Sequence, residues 1–149
     1  MNPQWQNQNS WDDPIDHCTY GWLGGVTVWV TVNFADPLTP PYLIDRDGRH
    51  WTWHDGLISD GNSVPKIARG IFPTDYCEPA PFLHDEAYRT RQLLSRASEA
   101  FPWTATDVTR QQADDLIYQG WIAAGGQLRR CQIAYGFLRA FGWVDWKGQ

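Results

Sequence analysis

The chain has 149 residues, which is the typical length of one domain. A domain of this size can form a stable hydrophobic core without a disulfide or a structural metal. It carries 17 acidic and 12 basic residues, for a formal net charge of -5, without a dense run of Lys and Arg. This balance argues against nucleic-acid binding that depends on phosphate neutralisation, and the absence of an apolar run near about 20 residues argues against a transmembrane segment.

Residues 1–17 form the first segment, which we interpret as an N-terminal arm that docks on its own domain or on a neighbouring subunit. The arm is rich in Gln, Asn and Asp and contains two prolines and two tryptophans, a composition that does not favour a regular element. It shows no basic region followed by an apolar region, so we expect no secretory signal and synthesis in a cytoplasm. We expect residues 18–149 to form a single α+β domain.

The next two segments predict β-structure. Residues 26–34, with the sequence VTVWVTVNF, alternate β-branched and aromatic side chains, a pattern typical of a strand. Residues 42–53 place Asp47 and Gly48 between two short runs, and Asp-Gly is a favoured turn of β-hairpins. The sequence therefore predicts a strand followed by a hairpin.

Two helices are predicted in the middle of the chain. Ser63 can cap a short helix over residues 65–71. A second helix is expected over residues 79–95, and it carries a His-Asp pair near its start.

Two further helices close the chain. Thr109 is followed three residues later by Gln112, the pattern of a capping box, and a Gly-Gly pair at 125–126 ends that helix. Apolar residues at helical spacing predict the last helix over residues 128–141. The predicted fold class is α+β, with an N-terminal antiparallel β-sheet or hairpin followed by three to four α-helices.

The candidate catalytic residues are His84, Tyr88 and Asp114. His84 and Tyr88 are four residues apart and share a helix face, whereas Asp114 falls on the core-facing stripe of the next helix. Burying an unpaired carboxylate costs several kcal/mol, so we expect Asp114 to pair with His84 or Tyr88. An Asp-His pair orients an imidazole to take a proton from water as a general base.

A cation site is the second expectation. Asp85 lies about 100° round the helix from His84, where it can also pair with Arg89. Together with Asp60 and the loop over residues 60–63, Asp85 could hold calcium or another divalent cation. A structural interpretation stays open for the His-Asp pair, because an acid at a helix start interacts with the helix dipole, and for Asp60, because it is an ordinary turn residue.

The remaining histidines and the cysteines are interpreted as structural. His17, His50 and His54 stand among tryptophans without a matching acidic pattern, which favours packing or surface roles, and Asp115 is expected to be solvated. The three cysteines, at 18, 77 and 131, are far apart and odd in number, so free and mostly buried thiols are favoured over a disulfide or a zinc site.

Four motifs in order carry a family resemblance. They are Asp60-Gly61-Asn62-Ser63-Val64-Pro65, His84-Asp85-Glu86-Ala87-Tyr88-Arg89, Thr109-Arg110-Gln111-Gln112-Ala113-Asp114 and Phe141-Gly142. In this the chain resembles the phage and prophage proteins grouped as domain of unknown function family 1353. The resemblance covers nearly all of residues 22–146, except that Gln112 replaces an acid and residues 92–106 look like an insertion. It implies a tailed-phage or prophage origin.

A shorter motif is similar to that of secretory phospholipases and of the phospholipase domain of parvovirus capsids, whose helix also reads His-Asp-x-x-Tyr. This similarity implies that His84 activates water, Asp114 orients it, Asp85 binds calcium and Tyr88 supports Asp114. The glycine-rich calcium loop of those enzymes is missing here before the histidine helix.

Three hypotheses about function follow. The first is a phage-encoded protein with a His-Asp hydrolase-like site that acts on bacterial envelope lipid or peptidoglycan. The alternative is a non-enzymatic virion component, such as a tail or connector subunit, which docks other phage virion proteins through its 10 tryptophans and could form a homo-oligomer. In either case we expect synthesis in the host cytoplasm, and the protein could be incorporated in the virion. Inhibition of a host factor is a third alternative.

Overall fold

The computed structural model describes residues 1–7, 15–20, 26–59, 79–143 and 146, with the backbone alone for 15–20 and 26–30. The strands, in chain order, are β1 (Gln4–Gln6), β2 (Ile15–Tyr20), β3 (Val26–Val32), β4 (Tyr42–Ile44), β5 (His50–Thr52), β6 (Leu57–Ser59), β7 (Gln92–Arg96) and β8 (Thr104–Asp107). The helices are α1 (Ala80–Thr90), α2 (Arg110–Ala123) and α3 (Leu128–Phe141). A mixed α and β fold is thus confirmed, with three helices in the described part of the chain.

The strands form two antiparallel sheets. One has the order β1-β4-β5-β7-β8, and the other has the order β2-β3-β6. The strand predicted over 26–34 is confirmed as β3, and the hairpin predicted over 42–53 is confirmed as β4 and β5.

Asp45 organises the turn between β4 and β5. Its Oδ1 accepts hydrogen bonds from the backbone N–H groups of Asp47 and Arg49, both at 2.9 Å, and its Oδ2 accepts one from Trp51 Nε1 at 2.7 Å. Gly48 has a φ of +84°, a conformation that glycine adopts without strain. The turn chemistry therefore fixes the register of the hairpin.

The N-terminal arm contains regular structure, unlike our expectation. Strand β1 pairs with β4, with Trp5 opposite Leu43. The indole Nε1 of Trp5 also donates to the backbone oxygen of Gly120 in α2 at 2.9 Å. The described start of the arm therefore docks on its own chain.

The helix predicted over 79–95 is too long. Helix α1 ends at Thr90, and Arg91 takes a left-handed conformation with a φ of +60° while its N–H bonds to the oxygen of Ala87. The chain then turns into β7, so residues 92–106, interpreted as an insertion, supply the β7–β8 hairpin at the edge of the five-stranded sheet. The helix predicted over 65–71 lies outside the described residues.

The two closing helices are confirmed. The capping box at the start of α2 is formed, because Thr109 Oγ1 accepts from the N–H of Gln112 at 3.2 Å and Gln112 Oε1 accepts from the N–H of Thr109 at 2.8 Å. Helix α3 has the predicted bounds. No helix in the described ranges is long and apolar enough to cross a membrane.

Two clusters of buried side chains hold these elements together. The larger joins both sheets to α1 and the first half of α2, through residues such as Leu43, Trp53 and Leu83. The smaller joins the start of α1 to α2 and α3, and it includes Cys131, which is free and buried. Cys77 and the side chain of Cys18 lie outside the described residues.

Replacing Gly120 with alanine should destabilise the fold. A Cβ at this position would lie 2.7 Å from the Cβ of Ala80 and 3.2 Å from the ring of Trp5. We expect Gly120→Ala to lower the free energy of unfolding by about 1–3 kcal/mol in urea titrations, because the helices cannot separate without losing buried contacts.

Gly136 is the matched control, since it is also helical but a Cβ there would meet nothing within 4 Å. Gly136→Ala should instead stabilise the protein by about 0.5–1 kcal/mol through helix propensity. Equal effects of the two substitutions would contradict the close packing of α1 on α2.

Candidate active site

The candidate site is built around Asp114, whose side chain is 0% exposed. Its Oδ1 accepts a hydrogen bond from the Tyr88 hydroxyl at 2.6 Å and lies 3.4 Å from His84 Nε2. Its Oδ2 accepts a hydrogen bond from Arg139 at 2.8 Å and lies 3.6 Å from a guanidinium nitrogen of Arg110. One buried carboxylate therefore joins α1, α2 and α3.

Helix α1 brings His84 and Tyr88 to this carboxylate from successive turns. Their ring centroids lie 3.9 Å apart with an interplanar angle of 34°. The Tyr88 ring also meets Trp146 edge-on, with centroids 5.1 Å apart. Tyr88 is thus fixed by packing against two rings while its hydroxyl bonds to Asp114. The structure brings together all three residues that the sequence proposed as catalytic.

The four contacts to Asp114 differ in strength. The bonds from Tyr88 and Arg139 have the short lengths of charge-assisted hydrogen bonds. The 3.4 Å separation from His84 exceeds the usual range of about 2.7–3.2 Å. Tyr88 and Arg139 therefore make the two short hydrogen bonds to the carboxylate, whereas His84 and Arg110 make the two longer contacts.

These contacts keep Asp114 ionised. Burial alone would raise the pKa of Asp114, but the hydrogen bonds from His84, Tyr88 and Arg139 outweigh it and lower the pKa. Burial and the bond to Asp114 raise the pKa of Tyr88. The bond to Asp114 also raises the pKa of Arg139. At neutral pH the site therefore holds a carboxylate with a phenol and a guanidinium as donors.

The imidazole of His84 is positioned to exchange a proton. The His84 side chain is 13% exposed, whereas the Asp114 side chain is fully buried. When Nε2 carries the hydrogen that faces Asp114, Nδ1 has a free lone pair. The described part of the chain gives Nδ1 no hydrogen-bond partner. This arrangement can remove a proton from water.

Sequence reasoning missed the two arginines at the site. Arg110 is four residues before Asp114 on α2, and this spacing was a usable signal for an ion pair. Arg139 stands on α3, and nothing in the local sequence links it to Asp114. Its contribution depends on how α3 packs against α2.

The expected cation site, which combines Asp85 with Asp60 and the loop over residues 60–63, lies partly outside the described residues. The carboxylate of Asp85 accepts a hydrogen bond from the Ser59 hydroxyl, while Arg89 donates to the backbone oxygen of Ile58. Asp60 lies outside the described residues. Within the described ranges, no group of three His, Cys, Asp or Glu side chains could hold a metal ion.

A second histidine pairs with an acid, against our interpretation of His54. His54 Nδ1 lies 2.6 Å from Oε1 of the buried Glu86, and this contact links the segment after β5 to α1. His50 is buried against the Tyr42 ring, and burial lowers its pKa. The side chain of His17 lies outside the described residues.

Asp115, expected to be solvated, is half-buried and accepts a hydrogen bond from the hydroxyl of Tyr135. Burial and this bond raise the pKa of Tyr135 to about 12. The Asp115–Tyr135 bond gives α2 and α3 a second, more exposed link beside the Asp114 cluster.

The chain matches a family model described as "Protein of unknown function (DUF1353)" over residues 38–137, which is 100 of its 149 residues. The chain belongs to the DUF1353 family. The matched region includes His84, Tyr88 and Asp114, and it ends two residues before Arg139. No curated protein and no solved structure matches the chain significantly.

Removing the Tyr88 hydroxyl should destabilise this DUF1353 protein. Tyr88→Phe leaves Oδ1 of a buried carboxylate with only the long contact to His84, so we expect a loss of about 1.5–3 kcal/mol in the free energy of unfolding. Tyr135→Phe is the matched control, because it removes a phenol bond to the half-buried Asp115 and should cost less. Equal losses would argue against a special role for the Asp114 cluster.

The lowered pKa of Asp114 also predicts how stability depends on pH. Because the folded-state pKa lies below the ordinary value of 3.8, ionised Asp114 stabilises the fold fully above that value. This contribution is lost as the pH falls through the folded-state pKa. In urea titrations, the stability gap between wild type and Asp114→Asn should be constant near neutrality and shrink below about pH 4. A gap that stays constant through this range would show that folding does not lower the pKa of Asp114.

Proposed function

We propose that this DUF1353 protein is a phage-encoded hydrolase that acts on an ester or amide bond of bacterial envelope lipid or peptidoglycan. The observation that carries the proposal is the contact between a partly exposed imidazole, His84, and a buried carboxylate, Asp114. The resemblance of its four motifs to phage and prophage proteins supports the origin. The envelope is the barrier that a tailed phage crosses during infection and lysis, and this supports the substrate class.

His84 is the catalytic residue in this mechanism. Nδ1 removes a proton from water while the water oxygen attacks the carbonyl carbon of the substrate, and the resulting imidazolium then gives that proton to the leaving oxygen or nitrogen. The ionised Asp114 stabilises the imidazolium through Nε2. The bond between the carbonyl carbon and the leaving group breaks, so the products are an acid and an alcohol or amine.

Tyr88 and Arg139 are positioning residues. They hold Asp114 by bonds of 2.6 and 2.8 Å, so the carboxylate cannot turn away from His84. The 3.4 Å contact is compatible with catalysis, because hydrogen bonds of catalytic groups are often long without substrate and shorten when it binds. The described residues do not supply a cation site, and no step here depends on one.

A non-enzymatic virion component is the second candidate. The observation that favours it is the burial of Asp114 and Tyr88, whose hydrogen bonds, with that of Arg139, tie three helices together. A fold-stabilising cluster of this kind needs no substrate. The two candidate functions differ in one expectation: removing the His84 imidazole should abolish activity in a hydrolase and should have no such effect in a virion component.

The test compares wild type with His84→Gln on two substrates, a labelled phospholipid and purified peptidoglycan, each with calcium and with a chelator. We expect activity on one substrate, and a fall of about 100- to 10,000-fold in His84→Gln, because general bases contribute rate factors of that size. Circular dichroism at the assay temperature should show His84→Gln folded, so the fall in activity reports the loss of the imidazole.

His54→Gln is the matched control, because His54 also pairs with an acid of α1 but lies outside the Asp114 cluster. It should retain wild-type activity. Wild type without activity on either substrate, or equal losses in the two variants, would overturn the hydrolase proposal and leave the virion component as the function to pursue.

A further inference from the structure

Helix α3 has an exposed face that combines apolar and basic side chains. Ile133 is 48% exposed and Phe141 is 56% exposed, and the two lie about 80° apart round the helix axis. Within α3, only Cys131 and Ala134 are buried, where the helix packs on the rest of the chain. Trp143, directly after the helix, is 51% exposed. Large apolar side chains therefore lie on this face from the middle of α3 to just beyond its end.

The charge of α3 is opposite to that of the chain as a whole. The helix contains Arg129, Arg130 and Arg139 and no acidic residue, whereas the chain has a net charge of -5. Arg139 donates a hydrogen bond to Asp114. Arg129 and Arg130 are exposed, and neither forms an ion pair with another described residue. The first turn of α3 therefore offers two cations to an external partner.

From this combination we propose that α3 is a docking surface for an anionic lipid bilayer. Interfacial helices bind bilayers by inserting aliphatic and aromatic side chains between lipid headgroups while their arginines contact anionic phosphates. A second copy of the chain fits the face less well, because a symmetric α3 contact would supply no acid for Arg129 and Arg130. An anionic bilayer supplies both the negative headgroups that the arginines need and the apolar interior that the exposed apolar side chains need.

Helix α3 also contributes to the candidate active site. Arg139 contacts Asp114 from α3, and Trp146, five residues after the helix, packs on Tyr88. The same helix therefore carries the proposed docking surface and one residue of the Asp114 cluster. The binding of α3 to a bilayer does not depend on the proposed hydrolase function. The choice of substrate class rests on that function: if the protein is a hydrolase, its substrate is lipid rather than peptidoglycan.

The experiment is co-sedimentation of the full chain with vesicles of phosphatidylglycerol and phosphatidylcholine, compared with vesicles of phosphatidylcholine alone. Wild type should bind the anionic vesicles more tightly, and added salt should weaken that binding. The double variant Arg129→Gln and Arg130→Gln should weaken it by roughly 30-fold. Ile133→Ser with Phe141→Ser should weaken it by roughly tenfold or more through lost apolar insertion.

Two control variants match these changes outside α3. Leu38→Ser replaces an apolar side chain that is 89% exposed before β4, and Arg46→Gln removes an exposed arginine after β4. Both should bind vesicles like wild type, and circular dichroism should show all variants folded. His84→Gln should also bind like wild type, so a failed hydrolase assay does not affect this test.

Three results would overturn the proposal. The first is that wild type does not bind anionic vesicles. The second is that the control variants lose as much binding as the α3 variants, which would show that binding does not depend on α3. Alternatively, size-exclusion chromatography could show that wild type is an oligomer and that the α3 variants are monomers with unchanged vesicle binding. In that case the face would be a contact between copies of the chain.

Discussion

A single buried carboxylate determines how the helices of this protein are arranged. Asp114 is removed from water, and a charge in that position is tolerated only when donors surround it. Its hydrogen-bond donors come from the two neighbouring helices, with Tyr88 from α1 and Arg139 from α3. A shift of either helix would leave the charge unpaired, so the cluster fixes α1 and α3 against α2.

Helix α1 is held equally firmly on its other side. Glu86 pairs with His54, Asp85 accepts from Ser59, and Arg89 donates to the backbone of Ile58. These contacts tie α1 to β6 and to the segment between β5 and β6. The helix that carries His84 therefore lies between a sheet and a polar cluster, and this double attachment gives the imidazole a defined position.

The parts of the fold that the sequence predicted are those with local signals. The Asp47-Gly48 turn, the Thr109 capping box and the apolar spacing of α3 each act within a few residues, and each matches the structure. The end of α1 was missed because Arg91, a residue with no special preference for it, takes a left-handed conformation. Strand β7 follows that turn and gains its stability from pairing with β5, which is distant in sequence.

The residues of the site likewise divide into those that local sequence signals predict and those that depend on how the helices pack. His84 and Tyr88 could be paired from their spacing, and Asp114 could be placed in the core because it lies on an apolar stripe. Arg139 could not be found in this way, because it reaches Asp114 from a separate helix 25 residues further along the chain. Local periodicity shows which side chains face inward, but not which helices meet.

The unequal contacts to Asp114 bear on the difference between a structural and a catalytic cluster. If the carboxylate served only to join helices, Tyr88 and Arg139 would satisfy both of its oxygens, and an aliphatic side chain at position 84 would pack as well against the Tyr88 ring. His84 adds a weak 3.4 Å contact while keeping part of its imidazole in solvent. An imidazole that is partly exposed and lies next to a fixed charge is the arrangement that the proposed general-base role of His84 needs.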